Sequence, residues 1–400
     1  MKMNGFMRMW GVAGIAVFSL FLCNCRHTES PEGGVEIVLR LEPGPGNTRN
    51  SEGSFVHLHD GRILYVYSHF TGGTADDACS YLAGRYSSDG GSTWSDTDVV
   101  ILPNEGEMNT MSVSLARLDS KEIAMLYLRK DSGMMCIPYI RFSDDDASSW
   151  SSPVRCADRD GYFVVNNDRL VRLSGGRLIF PAALHGYVGE NFHRTAKIMS
   201  FYSDDRGRTW TPSAPVDNPG KVVLQEPGLV ELKDGRLLLF CRTDAGVQYF
   251  SYSSDSGATW SPAVPGNIRS PLSPASIKRI PVTGDLLLVW NNNYKKGPDG
   301  GRRTPLNIAI SGDEGKHWQK IKTVESDPMG WYCYTAIDFA GEEVLLGYCA
   351  GNTRIQNGLA TTHITRLSLD WVYADSVPDP YVKSEKKMLS NPDAGTPGGI

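Results

Sequence analysis

The chain has 400 residues, with 40 Lys and Arg against 45 Asp and Glu, which gives a formal net charge of −5 at pH 7. This acidic balance argues against a general nucleic-acid-binding surface, although local basic clusters stay open. The content of 40% hydrophobic and 21% charged residues is that of a globular protein with ample core, and the length allows two domains or one large repeat fold.

Residues 1–25 have the pattern of an export signal. A basic start is followed by an uncharged apolar run from Trp10 to Leu22, which is too short and too near the terminus to favour a spanning helix. The run ends in a stretch resembling a bacterial lipobox, in which Cys25 is the expected lipidated residue because Asn24 is small enough for the cleavage position. The alternative is a cleaved secretory signal. Both predict an exported protein. The lipoprotein would be periplasmic or at the outer membrane or cell surface, with the lipid anchor as its only membrane contact and residues 26–34 as a tether, and otherwise the protein is secreted.

Six cysteines follow the signal, and none stands in a CxxC pair or near a histidine at ligand spacing. A zinc site is therefore not expected, and nothing in the sequence implies a cofactor. Several of these cysteines, such as Cys241 and Cys349, fall within predicted strands, where a small buried apolar residue is the simplest interpretation. Disulfides are compatible with export but not indicated.

A short turn flanked by β-rich runs occurs six times along the chain. The turns are 49 to 59 residues apart and are centred on Gly61, Ser120, Gly176, Gly235, Gly284 and Gly341. Each is expected to join two antiparallel strands as a hairpin, with glycine supplying the positive φ that such turns require.

A second motif, the octapeptide Ser-x-Asp-x-Gly-x-Thr-Trp or Asp-box, occurs five times at intervals of 50 to 60 residues. The copies begin at Ser87, Ser143, Ser203, Ser253 and Ser311. Two copies are degenerate, with Ala147 in place of the glycine and His317 in place of the threonine. In this motif the aspartate can accept hydrogen bonds from its own turn, and the tryptophan can cover the hairpin.

The two motifs together predict an all-β fold, a six-bladed β-propeller with Asp-box repeats that spans residues 35–375. Repeats of this length with no helical periodicity are typical of four-stranded blades, and a β-solenoid, the alternative, has shorter repeats. The sixth unit has no Asp-box. We expect Thr362–Leu369 to be one of its outer strands and the early Val35–Leu41 to join the same blade. Residues 376–400 are predicted to be a disordered tail.

The best copy of the repeat shows which end of a blade is free to bind a ligand. Glu226 and Arg242 lie on opposite sides of the Gly235 turn, so an antiparallel pair brings both to the end away from that turn. The third strand returns the Asp-box to the turn end. Applied to every unit, this topology collects the following residues at the ligand end: Arg49, Glu52, Asp76, Asp77, Asn109, Arg129, Asn166, Asn167, Asp168, Arg169, His185, Glu226, Arg242, Asn291, Asn292, Asn293, Arg302, Arg303, Trp331 and Tyr334.

Five Asp-boxes on six four-stranded units, with Glu226 ahead of the KDGRLLLFCR hairpin, resemble the sialidase (neuraminidase) superfamily of glycoside hydrolases over essentially the whole mature chain. The resemblance implies a tyrosine nucleophile, a glutamate base, an aspartate acid/base and three arginines that bind the substrate carboxylate. Carried over by position, the nucleophile is Tyr334, the base is Glu226, and the acid/base is Asp76 or Asp77. The three arginines are Arg49, Arg242 and either Arg302 or Arg303.

The first of these arginines departs from the family pattern. The usual Phe-Arg-Ile-Pro is absent, and the nearest candidate, Arg49, stands two residues out of register with the following turn. Asp168, Arg169 and His185 are not part of the family set, and they are candidates for reshaping the pocket around a different acidic sugar.

The resemblance implies an exo-α-sialidase, which hydrolyses terminal sialic acid with retention, with sialylated or other acidic glycans as partners and a monomer as the expected state. One alternative is a hydrolase or lyase for another acidic sugar such as a uronate. A second is a non-catalytic carbohydrate-binding propeller. Structural interpretations also exist: Tyr334 as a core aromatic, Glu226 with Arg242 as a buried ion pair, and His185 as a hydrogen-bonded loop residue. The Asp-box aspartates are expected to be structural.

Overall fold

The computed structural model describes residues 34–119, 121–188, 191–294 and 301–375. The predicted signal 1–25 with Cys25, most of the tether, Ser120 and the tail 376–400 lie outside the described residues. The regular secondary structure of the described part is almost entirely β-strand. Its short helical segments are a 3₁₀ turn at Thr353–Ile355 and the helix α1 at Leu369–Tyr373. Within the described ranges, no helix has the length and apolar character needed to cross a membrane.

Three four-stranded antiparallel sheets each come from one continuous stretch of chain, with neighbouring strands in sequence order. The first contains β2 (Arg49–His57), β3 (Ile63–Phe70), β4 (Ser80–Ser87) and β5 (Val99–Leu102). The strands of the other two are β17 (Gln225–Glu231), β18 (Leu237–Arg242), β19 (Val247–Ser253) and β20 (Val264–Arg269), then β21 (Ser276–Arg279), β22 (Leu286–Trp290), β23 (Leu306–Ser311) and β24 (Gln319–Glu325).

A fourth sheet joins the two ends of the described chain. Its strand order is β1-β27-β26-β25, formed by β1 (Val35–Leu41), β25 (Gly330–Ala340), β26 (Glu343–Asn352) and β27 (Thr362–Ser368). The early strand pairs antiparallel with β27, from Val35 opposite Leu367 to Leu41 opposite Thr362. The prediction that the early strand joins the last unit is therefore confirmed.

The second and third repeats differ from the expectation of two separate four-stranded units. They form one nine-stranded sheet. Its strands are β6 (Asn109–Arg117), β7 (Ile123–Ser132), β8 (Met135–Ser143), β9 (Val154–Arg155), β10 (Tyr162–Val164), β11 (Val171–Arg172), β12 (Leu178–His185), β15 (Lys197–Ser203) and β16 (Thr211–Pro212). Strand β10 pairs antiparallel with β12 and also contacts β8 through a single parallel pair, Tyr162 opposite Cys136. A two-stranded hairpin, β13 (Tyr187–Val188) and β14 (Asn191–Phe192), is inserted after β12.

Each Asp-box begins at the last residue of a strand, so the motif starts at a chain reversal. In the fourth repeat, Oδ1 of Asp255 accepts the Thr259 amide at 2.9 Å, and Oδ2 accepts the Thr259 hydroxyl at 2.6 Å. In the degenerate fifth copy, Nδ1 of His317 takes the place of that hydroxyl, 2.6 Å from Oδ2 of Asp313. The aspartates therefore hold their own turns.

The hydrophobic core lies between neighbouring sheets. One cluster of buried residues combines Val230, Leu238 and Phe240 of one sheet with Ile277 and Leu288 of the next. Since β-strands alternate their side chains between two faces, each sheet can bury apolar residues against both neighbours. The strand ends are left to carry polar side chains.

Candidate functional site

A cavity of about 360 Å³ lies at the strand ends away from the Asp-boxes. It collects carboxylates, guanidinium groups, a phenol and an imidazole from segments far apart in sequence. The lining residues are Glu52, Asp76, Met111, Ser112, Leu128, Cys136, Tyr162, Val164, Asn166, His185, Phe192, Gln225, Glu226, Arg242, Arg303, Trp331, Tyr334 and Leu359.

A larger cavity of about 460 Å³ lies further along the same first strands, toward their turn ends. Leu115, Leu229 and Ile277 are among its buried lining residues, and charged side chains such as Arg279 also line it. Arg279 is already engaged by Glu314 at 2.7 Å. The smaller cavity is the better candidate, because it combines a phenol with a bonded carboxylate and two arginines.

Local backbone geometry turns four of the lining side chains toward this cavity. Glu52, Ser112, Glu226 and Tyr334 have φ values of 58°, 55°, 46° and 57°, and each lies in the first strand of its repeat at a break in pairing register. The left-handed region costs a non-glycine residue roughly 1–2 kcal/mol, and a bulge reorients its side chain. Such strain is found preferentially at functional sites.

Tyr334, Glu226 and Arg242 form a connected chain of polar contacts in the cavity. The Tyr334 hydroxyl donates to Oε1 of Glu226 at 3.0 Å, and a terminal nitrogen of Arg242 lies 2.5 Å from Oε2 of the same carboxylate. The Glu226 and Arg242 side chains are only 12% and 14% exposed.

The two arginines in the cavity, Arg242 and Arg303, favour one charge state for Glu226 and Tyr334. Burial opposes ionisation of Glu226, but the charges of Arg242 and Arg303 outweigh it and lower the pKa of the carboxyl. Burial, with the nearby charge of Glu226, raises the pKa of the Tyr334 hydroxyl. The arrangement is thus a neutral phenol hydrogen-bonded to an ionised carboxylate.

Arg303 completes the cationic side of the cavity. Its guanidinium carbon lies 5.1 Å from the ring centroid of Trp331 and 5.3 Å from that of Tyr334. The buried Nε atoms of Arg303 and Arg242 have no hydrogen-bond partner among the described residues. Because an unsatisfied buried donor is costly, these atoms are suited to an anionic or carbonyl-bearing ligand.

Arg49 binds two of the lining carboxylates, those of Asp76 and Glu52, without lining the cavity itself. Its terminal nitrogens lie 2.6 Å from Oδ1 of Asp76 and 3.2 Å from Oε2 of Glu52. The Arg49 side chain is 1% exposed, whereas that of Asp76 is 63% exposed. Burial raises the pKa of Glu52 to about 7, with the charge of Arg49 acting in the opposite direction.

His185 also lines the cavity, where Nδ1 lies 3.0 Å from the His193 carbonyl oxygen and the ring stacks on Phe192 at 4.4 Å. Burial lowers the pKa of this imidazole. Nδ2 of Asn166, a buried side chain that also lines the cavity, has no hydrogen-bond partner among the described residues.

The structure places Asp168 and Arg169 outside the cavity lining, although both were expected to contact substrate. Asp168 accepts hydrogen bonds from the Ser54 hydroxyl and the Ile337 amide, both at 3.1 Å. Arg169 is buried and donates to the Ala275 carbonyl at 2.8 Å. Their hydrogen bonds tie first strands of different sheets together.

In the two pairs of neighbours left open by the sequence, one member of each lines the cavity. Asp76 and Arg303 line the cavity, whereas Asp77 and Arg302 do not. Arg302 is exposed, and its Nη1 lies 3.4 Å from the Pro328 carbonyl oxygen. Glu52 was placed at the ligand end but given no role. The signal that could have found it is its spacing, since Glu52 and Glu226 each precede their turn glycine by nine residues.

Across the four described ranges, no group of three or more His, Cys, Asp or Glu side chains could hold a metal ion.

Comparisons with known proteins place this geometry in a family context. The family described as BNR repeat-like domain matches residues 128–346. No curated protein sequence matches the chain.

Solved structures with the same fold include a protein of unknown function from Dyadobacter fermentans, with 18% identity, a TM-score of 0.67, and coverage of 84% of this chain and 99% of that one. The Hadza microbial sialidase Hz136 has 18% identity, a TM-score of 0.64, and coverage of 81% and 66%. An intramolecular trans-sialidase from Ruminococcus gnavus, solved with oseltamivir carboxylate, has 16% identity, a TM-score of 0.65, and coverage of 84% and 98%. At identities this low, the structural similarity shows a shared fold and nothing beyond it.

Proposed function

Because the chain belongs to the BNR repeat-like domain family and shares the fold of sialidases, we propose that it is an exo-α-sialidase that acts through Tyr334 as nucleophile. The observation that carries the proposal is the 3.0 Å hydrogen bond from the Tyr334 hydroxyl to Glu226 inside the cavity. A buried phenol paired with a carboxylate base is the arrangement that nucleophilic catalysis by tyrosine needs.

The substrate explains why a phenol serves better than a carboxylate. Sialic acid carries a carboxylate on its anomeric carbon, which would repel an anionic nucleophile, whereas a neutral tyrosine avoids that repulsion. The lowered pKa of Glu226 keeps it ionised and able to accept the phenol proton as the oxygen attacks. The product of that step is a covalent glycosyl-tyrosine, and its hydrolysis gives net retention.

Arg242 and Arg303 bind the substrate carboxylate in this mechanism. Their unsatisfied Nε atoms supply donors, and each charge-assisted hydrogen bond contributes roughly 1.5–3 kcal/mol. Arg49, the expected first arginine, acts through Glu52 and Asp76, which it holds at the opposite wall. His185 and Trp331 supply further contacts to the sugar.

A second candidate function is hydrolysis or elimination on another acidic sugar, such as a uronate. The observation that favours it is Glu52, which occupies the bulge of β2 while Arg49 stays outside the lining. Two arginines, Arg242 and Arg303, rather than three would then contact the substrate carboxylate. Such a site would favour a sugar that carries its carboxylate at a different position on the ring.

We also propose that the sheets are arranged as six blades of a propeller. In support, β2 contacts β6 and β25, β21 contacts β25 and β17, and β17 contacts β12. The single Tyr162–Cys136 pair would then mark the border between the second and third blades. From the sequence we further propose that the protein is exported, lipidated at Cys25 and monomeric.

A panel of fluorogenic glycosides tests the proposal. Release of the fluorophore from an α-sialoside, lost in Tyr334→Phe, supports the sialidase assignment. Turnover of uronides alone would transfer the assignment to the second candidate. Binding of acidic glycans without turnover of any substrate, unaffected by Glu226→Gln, would instead identify a carbohydrate-binding protein.

A further inference from the structure

Glu52 is the counterpart of Glu226 in another repeat. Both residues stand nine positions before a turn glycine, both have a left-handed φ at a bulge in a first strand, and both line the cavity. Two carboxyl groups presented to one cavity by equivalent backbone positions are the arrangement that glycoside hydrolysis uses, one group for each proton transfer.

The surroundings of the two carboxyls differ. Glu226 is paired with Arg242 at 2.5 Å, and Tyr334 donates to its other oxygen. Glu52 is 7% exposed, and its Oε2 has the more distant Arg49 at 3.2 Å. Hydroxyls of Ser51 and Ser112, each at 3.3 Å, contact its two oxygens. Environments that separate two carboxyls in this way assign one to the acid role and the other to the base role.

From this geometry we propose that Glu52, and not Asp76, is the acid that protonates the departing oxygen of the substrate. The inference rests on the proposed glycoside hydrolysis and adds a residue to it. Asp76 binds Arg49 at 2.6 Å with a side chain that is 63% exposed, so it lacks the burial that favours a proton donor. Arg49 then positions Glu52 through its contact at 3.2 Å.

The reaction balances with these groups alone. The Tyr334 oxygen bonds to the anomeric carbon while its proton moves to Glu226, and the glycosidic bond breaks with its electron pair passing to the leaving oxygen. That oxygen takes the proton of Glu52. In the second half, water gives a proton to the Glu52 carboxylate as its oxygen bonds to the anomeric carbon. The bond from that carbon to the Tyr334 oxygen breaks, its electron pair returns to the oxygen, and Glu226 gives the proton back to Tyr334.

Electrostatics are consistent with an acid that works near neutral pH. Burial raises the pKa of Glu52 to about 7, Arg49 lowers it, and the charges of Asp76 and Glu226 raise it. Burial raises the pKa of three neighbouring groups, Cys136, Tyr162 and Cys349, and the charge of Glu52 in turn adds to that rise. A donor of this pKa is half protonated at pH 7, which suits general acid catalysis.

The test compares Glu52→Gln with Asp76→Asn on two substrates of the same sugar. One has a phenolic leaving group that departs without protonation, and the other has a sugar leaving group that requires it. We expect Glu52→Gln to lose roughly 100-fold or more in kcat/KM on the second substrate and less than about 10-fold on the first, because kcat/KM reports the first half-reaction, in which only the sugar leaving group needs the proton. The limb of the wild-type pH profile near pH 7 should also disappear in Glu52→Gln.

Several outcomes would overturn the inference. One is an equal loss of kcat/KM on both substrates in Glu52→Gln, and another is a dependence of kcat/KM on leaving group that appears in Asp76→Asn instead. If Glu52→Gln does not fold, Glu52→Asp replaces it, and an unchanged ratio of activities on the two substrates would count against the assignment. The proposed function fails separately, if the wild-type protein hydrolyses no glycoside or if Tyr334→Phe retains full activity on both.

Discussion

The Tyr334 hydroxyl lies 3.0 Å from Oε1 of Glu226, although the two residues are 108 positions apart in the chain. Each stands at a bulge in the first strand of a different sheet, with a left-handed φ. The contact exists because two separate distortions of the backbone turn both side chains into one cavity.

Removing the phenol oxygen should abolish turnover without changing the fold. We expect Tyr334→Phe to lower kcat by roughly 10³-fold or more, because the nucleophile is lost while the ring still packs beside Arg303. Steady-state kinetics on the best glycoside measure this. Tyr332→Phe, a buried neighbour outside the cavity lining, is the matched control and should retain kcat. Equal losses in the two variants would contradict the prediction.

Neutralising Glu226 should cost both activity and stability. Glu226→Gln leaves Arg242 buried without its counter-charge, which costs roughly 3–5 kcal/mol in the free energy of unfolding. The folded-state pKa of Glu226 is lowered, so its ionised form stabilises the protein above its ordinary value of 4.5, and this contribution is lost as the pH falls. Denaturant unfolding should therefore show the difference between wild type and variant shrinking below about pH 4.5.

Arg302 and Arg303 offer a test with neighbouring residues of the same type. Arg303→Lys should weaken binding of a carboxylate-bearing sugar by about 10- to 150-fold, which corresponds to one lost charge-assisted hydrogen bond. Arg302→Lys should leave binding nearly unchanged, since Arg302 lies outside the cavity lining. Isothermal titration with the inactive Tyr334→Phe background measures both. Comparable losses would show that Arg303 is not the binding residue.

The pKa of Glu52 can be tested through stability, without any substrate. Its folded-state pKa of about 7 is above its ordinary value of 4.5, so its contribution to stability is present below pH 4.5 and is lost as the pH rises through 7. Relative to Glu52→Gln, the wild-type protein should lose roughly 3 kcal/mol in unfolding free energy between pH 4.5 and pH 8. A difference that does not change with pH would disprove the raised pKa.

The Asp-boxes should affect stability and not catalysis. Asp255 binds the amide and hydroxyl of Thr259, and those hydrogen bonds lower its pKa to about 2 against the effect of burial. We expect Asp255→Asn to lower the unfolding free energy by about 1 kcal/mol with kcat unchanged. The difference from wild type should diminish as the pH falls from 3.8 toward 2, where the native aspartate also becomes protonated. A changed kcat in Asp255→Asn would contradict the purely structural role assigned to the Asp-box.

Much of the fold could be predicted because its signals are contiguous. An Asp-box satisfies its hydrogen bonds within eight residues, and a hairpin turn within a few more, so both can be recognised without tertiary information. The meander order of strands then predicts which ends carry Glu226 and Arg242. That prediction is confirmed by the pairing of Arg242 with Gln225, at the end away from the Gly235 turn.

The choice between neighbours required the tertiary structure. Asp76 lines the cavity while Asp77 does not, and Arg303 does while Arg302 does not. All four lie in connections between strands, where no side-chain periodicity predicts which neighbour faces the cavity. The fusion of the second and third repeats into one sheet also depends on a pairing, Tyr162 with Cys136, that no local pattern encodes.

The sequence by itself determined the all-β class, the repeated hairpin turns and Asp-boxes, and the end of the strands at which Glu226 and Arg242 lie, because these follow from local turns and from side-chain periodicity. Only the tertiary structure decided that Glu52 joins the cavity, that Arg49 stays behind it, and that Asp168 and Arg169 brace the sheets. The physical reason is that a bulge depends on how a strand pairs with its neighbour, and the burial that alters a carboxyl's pKa depends on sheets brought together from distant parts of the chain.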